Sequence, residues 1–166
     1  MSRLRTQLLL IAAVVVAADV VTKRLALAYL PPTGIPLDVV GDYLRFTLAF
    51  NRGAAFGMHV GGWSRAVFSL FAVGMVTVLL VAAGRVTGPA QRLLIAMGLV
   101  AGGAIGNLVD RLRWDRGVVD FIDVGVGATR FWTFNVADSA ITLGAILLLW
   151  PAGDRLPTDV APTTAP

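Results

Sequence analysis

Long runs without a charged residue constrain this chain more than any other feature. Ala66–Gly84 is uncharged for 19 residues, Leu93–Val109 for 17 and Ser139–Gly153 for 15. A further run, Gln7–Ala18, continues as helix-compatible sequence through Asp19 and Lys23 to about Tyr29. A bilayer core about 30 Å thick takes roughly 20 helical residues. Ala66–Gly84 therefore spans cleanly, and each other run must draw a polar residue into or near the membrane. Composition agrees: 57% of residues are hydrophobic and 14% charged, against about 25% charged in a soluble domain. An ordinary soluble globule is excluded, and so is a disordered chain. The expectation is an α-helical membrane protein of four transmembrane helices, one domain over residues 1–150. The Pro/Thr-rich tail 151–166 is read as disordered and without chemistry.

The charge balance narrows the class. The chain carries 14 Lys and Arg against 10 acids, all of them Asp, for a net charge of +4. The basic residues stand singly between apolar runs rather than in a patch, so no nucleic-acid partner is expected. Cysteine is absent and His59 is the single histidine. Thiolate chemistry, disulfides and multi-histidine metal sites are thereby excluded. Arg3 and Arg5 before an apolar run ending at Ala17-Ala18 resemble a cleavable signal, but three further spans follow and a retained helix is expected.

Four antiparallel spans bring particular ends together. The end of span one, the end of span three and the start of span four share one side with the connections Pro31–Arg65 and Asp110–Asn135. The residues costliest in lipid are Asp19, Lys23, Asn107, Asp110, Arg111, Asn135 and Asp138, and all fall at those converging ends. Ionisable groups so gathered mark a functional site. Counting helical rise puts Asp138 about 4–5 Å and Asp19 about 9–10 Å beneath the membrane boundary. Sidedness is contested: nine Lys and Arg lie on the site side and five on the other, whereas Arg3 and Arg5 ahead of the first span favour a cytoplasmic N-terminus. Between spans one and two, residues 43–50 alternate with period two and read as a strand, followed by a glycine-rich turn from Asn51 to Gly57. Trp63 opens an interfacial segment.

Each polar group has a structural and a chemical reading. Gly98, Gly102 and Gly106, four apart, make a small-residue stripe for close helix packing. Asp19 and Lys23, at i and i+4, either pair with each other at the membrane edge, or Lys23 reaches outward to the interface, or Asp19 contacts a substrate with Lys23 as its structural partner. Asn107, Asp110 and Arg111 share one face and could tie span three to the next loop or bind an extended peptide. Asp138 could be simply a first-turn carboxylate, but it lies inside an apolar boundary with Asn135 three residues before. Asp120, between Val119 and Phe121, belongs to a stretch that must lie against the membrane. Two carboxylates brought close at low dielectric cannot both ionise, so they share a proton and act as acid and base together. The competing chemistry is Ser139 with a desolvated Lys23, although Ser139 points about 100° from Asp138 and is suited to bonding its own backbone. A transporter or proton relay is the rival from another class, but it would place its site near the midplane in repeated halves, and no repeat is present. A non-catalytic scaffold gives no reason for so many polar groups at one depth.

Four blocks in order resemble the bacterial lipoprotein signal peptidases, the signal peptidase II family of membrane aspartyl peptidases. They are Asp19-Val-Val-Thr22-Lys23; Asn51-Arg-Gly53-Ala54-Ala55-Phe56-Gly57; Gly102-Gly103-Ala104-Ile-Gly106-Asn107-Leu-Val-Asp110-Arg111; and Val119-Asp120-Phe121-Ile122-Asp123 with Phe134-Asn135-Val-Ala137-Asp138-Ser139. The resemblance implies four membrane helices with a small extracytoplasmic β-sheet cradle, in the bacterial inner membrane, both termini cytoplasmic. It implies removal of the signal peptide from a diacylglyceryl-modified prolipoprotein by cleavage before the lipidated cysteine. Asp120 and Asp138 then correspond to the catalytic pair. Asp19, Lys23, Asn51, Gly53, Asn107, Asp110, Arg111 and Asn135 would line or support the site, and Asp123 is left outside the pair. No metal or cofactor is called for, the partners are the prolipoprotein and membrane lipid, and a monomer is expected. Arg52 departs from the pattern, standing where a small polar residue is common.

Overall fold

The computed structural model describes residues 3–53, 61–86 and 90–150. Four helices, α1 (Arg3–Tyr29), α2 (Ser64–Ala83), α3 (Gln91–Arg113) and α4 (Val136–Leu149), carry the hydrophobic mass. Four strands, β1 (Pro36–Val40), β2 (Leu44–Asn51), β3 (Val118–Val126) and β4 (Thr129–Arg130), occupy the two long connections. The sequence-based expectation of an all-α chain with a small sheet thus becomes a mostly helical fold with one antiparallel sheet in the order β1-β2-β3-β4.

Among the described residues, two helical stretches are long and apolar enough to cross a bilayer: Gly61–Ala83 and Gln91–Arg113. Helix α1 reaches Tyr29 as expected and carries Asp19, Lys23 and Arg24 in its second half, and α4 is 14 residues long. The exposed surface of α2 is apolar, with Leu70 and Phe71 at 73% and 65% exposure. Water would reject such a face and lipid would accept it.

Helix α3 is the hub and packs on α1, α2 and α4, while α1 and α2 scarcely meet. Its small residues set that role. A Cβ added at Gly98 or Gly102 would stand 2.8 Å from the Ile11 side chain or 2.7 Å from that of Val15 on α1. Gly103 and Gly106 face α4 and Asp19, and Gly144 of α4 returns the contact against Val100. Gly98 and Gly102 make the expected small-residue stripe a seam against α1, and Gly106 ends it on Asp19. Away from the polar end, Leu8, Ala12, Leu79, Ala83, Met97, Val100 and Ala101 form an apolar core.

Sequence alternation placed a strand at 43–50, and β2 covers that segment one residue later at each end. The connection after Asp110, read as a loop, is largely the β3–β4 hairpin. Its run Val118-Val119-Asp120-Phe121 is buried, so polar alternation is lost and the strand does not announce itself by period two. Gly117 makes the entry to β3 possible. Its φ of 97° is left-handed, and a Cβ there would collide with the Asn51 carbonyl. That close approach pairs Asn51 with Val118 and, past an irregularity between Phe46 and Ala49, sets Ala49 opposite Asp120.

Candidate active site

Three elements meet at the polar end of the bundle, and one ammonium group joins them. Lys23 Nζ of α1 lies 2.7 Å from Asp19 Oδ2, 2.9 Å from Asp110 Oδ2 and 3.0 Å from Asn107 Oδ1. Those three acceptors use all three ammonium protons. Lys23 is 3% exposed and Asp19 is 0% exposed. A buried charge requires such saturation, so the outward-reaching reading of Lys23 is corrected. Asp19 Oδ1 accepts from Ala137 N at 3.0 Å, and Asp110 Oδ2 from Val119 N at 3.1 Å. Asp19 thereby holds the start of α4, and Asp110 holds β3.

Two asparagines carry the connection to the remaining carboxylates. Asn107 Nδ2 donates to Asp138 Oδ1 at 2.8 Å. Asn135 Nδ2 donates to Asp120 Oδ1 at 2.7 Å and also lies 3.1 Å from Asn107 Oδ1. Asn135 is the N-cap of α4 and accepts from Asp138 N at 2.9 Å, while Asp138 Oδ2 accepts from Asn135 N at 3.3 Å. This capping box points Asp138 back toward Asn135 and Asp120. The bland reading of Asp138 as a first-turn carboxylate is therefore true, and the same geometry delivers it to the site.

Asp120 and Asp138, 18 positions apart in sequence, line one cavity of about 810 Å³ together with Asn51, Arg52, Trp132 and Ser139. Asp120 is 2% exposed. Burial first, and then the negative charge of Asp138, push its carboxyl up to about 7; hydrogen bonds from Asn135 and Asn51 and the charge of Lys23 pull the other way. At neutral pH Asp120 is thus poised between its acid and ionised forms. Arg111 Nη2 donates to Gly53 O at 2.9 Å, and its guanidinium lies 5.8 Å from the Phe68 ring centre. It ties the end of β2 to α3. Asn51 Oδ1 accepts from Gly53 N at 2.9 Å and shapes the turn that follows.

All ten residues singled out in the sequence belong to this linked arrangement. The serine alternative is not assembled: Ser139 Oγ donates to Asn135 O at 3.0 Å, and Lys23 is spent on other partners. His59 and the turn beyond Gly53 lie outside the described residues, as does the tail 151–166. Asp123 faces another network, accepting from Thr47 at 2.9 Å and pairing with Arg130 at 2.9 Å. Sequence reasoning missed that sheet lock because its members lie 76 and 7 positions apart, without a shared period. Among the described residues no three Asp, Glu, His or Cys side chains converge as a metal ion would require.

The sequence model described as "Signal peptidase (SPase) II" matches residues 11–152. This chain belongs to the signal peptidase II family. It is 44% identical over 149 residues to a lipoprotein signal peptidase of Mycobacterium avium (strain 104), covering 86% of this chain and 76% of the relative. It is 46% identical over 110 residues to the protein of that name from Shewanella sp. (strain MR-4), covering 65% of this chain. The match spans about 64% of the Shewanella protein's length. Two solved structures of bacterial membrane enzymes, obtained by the in meso method, are similar in fold. One superposes with a TM-score of 0.75 at 32% identity, covering 85% of this chain and 84% of the other. The second gives 0.73 at 33% identity over 85% and 88%. Membership of the signal peptidase II family and likeness to membrane enzymes agree with the apolar outer faces of α2.

Proposed function

We propose that this chain is a membrane aspartyl endopeptidase that removes the signal peptide of diacylglyceryl-modified prolipoproteins by cutting before the lipidated cysteine. The observation that carries the proposal is the pairing of a buried carboxyl held near pH 7, Asp120, with a second carboxylate on the same cavity, joined through Asn135 and Asn107. One group ionised and one protonated is the state that activates water. Asp138, which accepts hydrogen bonds from Asn107 and Asn135, takes a proton from the attacking water. Asp120 donates its proton toward the scissile carbonyl oxygen, and a gem-diol forms. Its collapse breaks the C–N bond as Asp138 passes the proton it took to the leaving amine and Asp120 recovers a proton from a gem-diol hydroxyl. No cofactor enters these steps.

In this reading all four helices cross the bacterial inner membrane, α1 and α4 being admitted by the polar network that satisfies their charges. The sheet and cavity lie at the extracytoplasmic face, both termini are cytoplasmic, and the protein acts as a monomer. Acyl chains stay in lipid while the peptide enters sideways. The decisive experiment incubates purified protein with a diacylated prolipoprotein and weighs the product. Asp120→Asn and Asp138→Asn should each abolish cleavage while still accumulating in the membrane. Full activity in either variant would refute the dyad.

A further inference from the structure

The two ends of the cavity differ in chemistry. At one end it follows the first two turns of α4 past Ser139, Thr142 and Leu143, beneath Phe131 and Trp132. At the other it reaches Arg52, which also lines a second hollow of about 340 Å³ with Ser64, Arg65, Arg111, Asp115 and Gly117. Neighbouring cations are already engaged. Arg65 pairs with Asp115, Arg111 donates to Gly53 O, and Arg116 stacks on Phe50 and Trp114. Arg52 is exposed, and no hydrogen bond or ion pair to another described residue holds it. The hollow also abuts the start of α2, whose first turn contains no acid and whose N-cap makes no side-chain hydrogen bond. That end of the helix adds positive potential.

Resting on the function proposed above, we infer that Arg52, assisted by Arg65, forms a subsite for acidic side chains on the polar segment following the scissile bond. The apolar end of the cavity accepts what comes from the membrane, namely the signal segment. The chain beyond the cut is polar and must leave toward water, and in this inference it runs from the two carboxylates past Arg52, which lines the same cavity. A carboxylate there meets a guanidinium that no described residue engages, which suits it as a forked donor. A lysine there would meet like charge.

The test uses the full-length protein in neutral detergent with diacylglyceryl-modified peptides differing only at the second to fourth residues after the cysteine. Those residues are all Asp, all Ser or all Lys. Wild type should favour Asp over Lys in kcat/KM by about 2–5-fold, the range of an exposed ion pair. The ratio should fall to about one in Arg52→Ala, persist in Arg52→Lys and shrink in Arg65→Ala. Raising salt should compress it. Equal rates for all three peptides in wild type, or an unchanged ratio in Arg52→Ala, would overturn the subsite and leave the peptidase reading intact. A uniform effect of Arg52→Ala seen only with anionic lipid present would assign the cation to headgroups and overturn it likewise. Failure of wild type to cut any peptide overturns both readings.

Discussion

Asp120 concentrates the chemistry of the site in one titration. The proposed mechanism requires Asp120 to stay protonated, so kcat/KM should decline as pH rises through about 7. The Asn51 hydrogen bond favours the ionised form of Asp120. Asn51→Ala should therefore move the alkaline limb of the profile to higher pH, and an unmoved or lowered limb would contradict the assignment. Lys23 offers a stability counterpart. Lys23→Met leaves Asp19 and Asp110 as buried carboxylates without their cation, which costs about 3–5 kcal/mol. Thermal unfolding in detergent reads this as a large drop, partly restored by adding Asp110→Asn. These residues were legible in the sequence because charge is so rare there that every exception stands out. Which carboxylate contacts which amide was not legible, since Asn107, Asp120 and Asn135 are joined by the folding of three separate elements.

At the scale of elements, the α3–α4 and α1–α3 seams determine whether the acids meet. A Cβ at Gly106 would lie 2.6 Å from Asp19 Oδ2 and 3.4 Å from Ala137 Cβ. Gly106→Ala should push Asp19 off the Ala137 amide, cost about 1–3 kcal/mol and lower cleavage by displacing the first turn of α4. Gly74 on α2 has nothing within 4 Å of its Cβ position, so Gly74→Ala should keep full activity and serve as the control in the same melting assay. The helices could be anticipated from uncharged runs, because the hydrophobic demand of a bilayer is written directly in composition. The sheet was harder. Strand β2 alternates and was found, whereas β1 carries five exposed residues and the first four of β3 are buried. Neither pattern has the half-buried period on which strand recognition depends.

The whole molecule presents a sidedness question that counting basic residues answers in the wrong direction for the proposed reading. Seen in three dimensions, several site-side arginines are occupied: Arg111 by Gly53, Arg45 by Asp38 at 2.8 Å, and Arg130 by Asp123. Such structurally committed cations sit in a folded cap rather than in a free loop that charge alone would retain. Because the chain contains no cysteine, topology can be read with single labels. An impermeant maleimide applied to intact spheroplasts should modify the exposed Thr129→Cys at the start of β4 and spare Arg85→Cys after α2. The reverse pattern would invert the orientation.

The α4 capping box has a temporal implication. Both Asn135 and Asp138 belong to the final helix of the bundle, and Ala137 supplies an amide to Asp19. During synthesis α1, α2, α3 and the sheet emerge first, with Asp120 in place before its proposed partner Asp138. In the proposed mechanism, hydrolytic competence therefore arrives only when α4 docks.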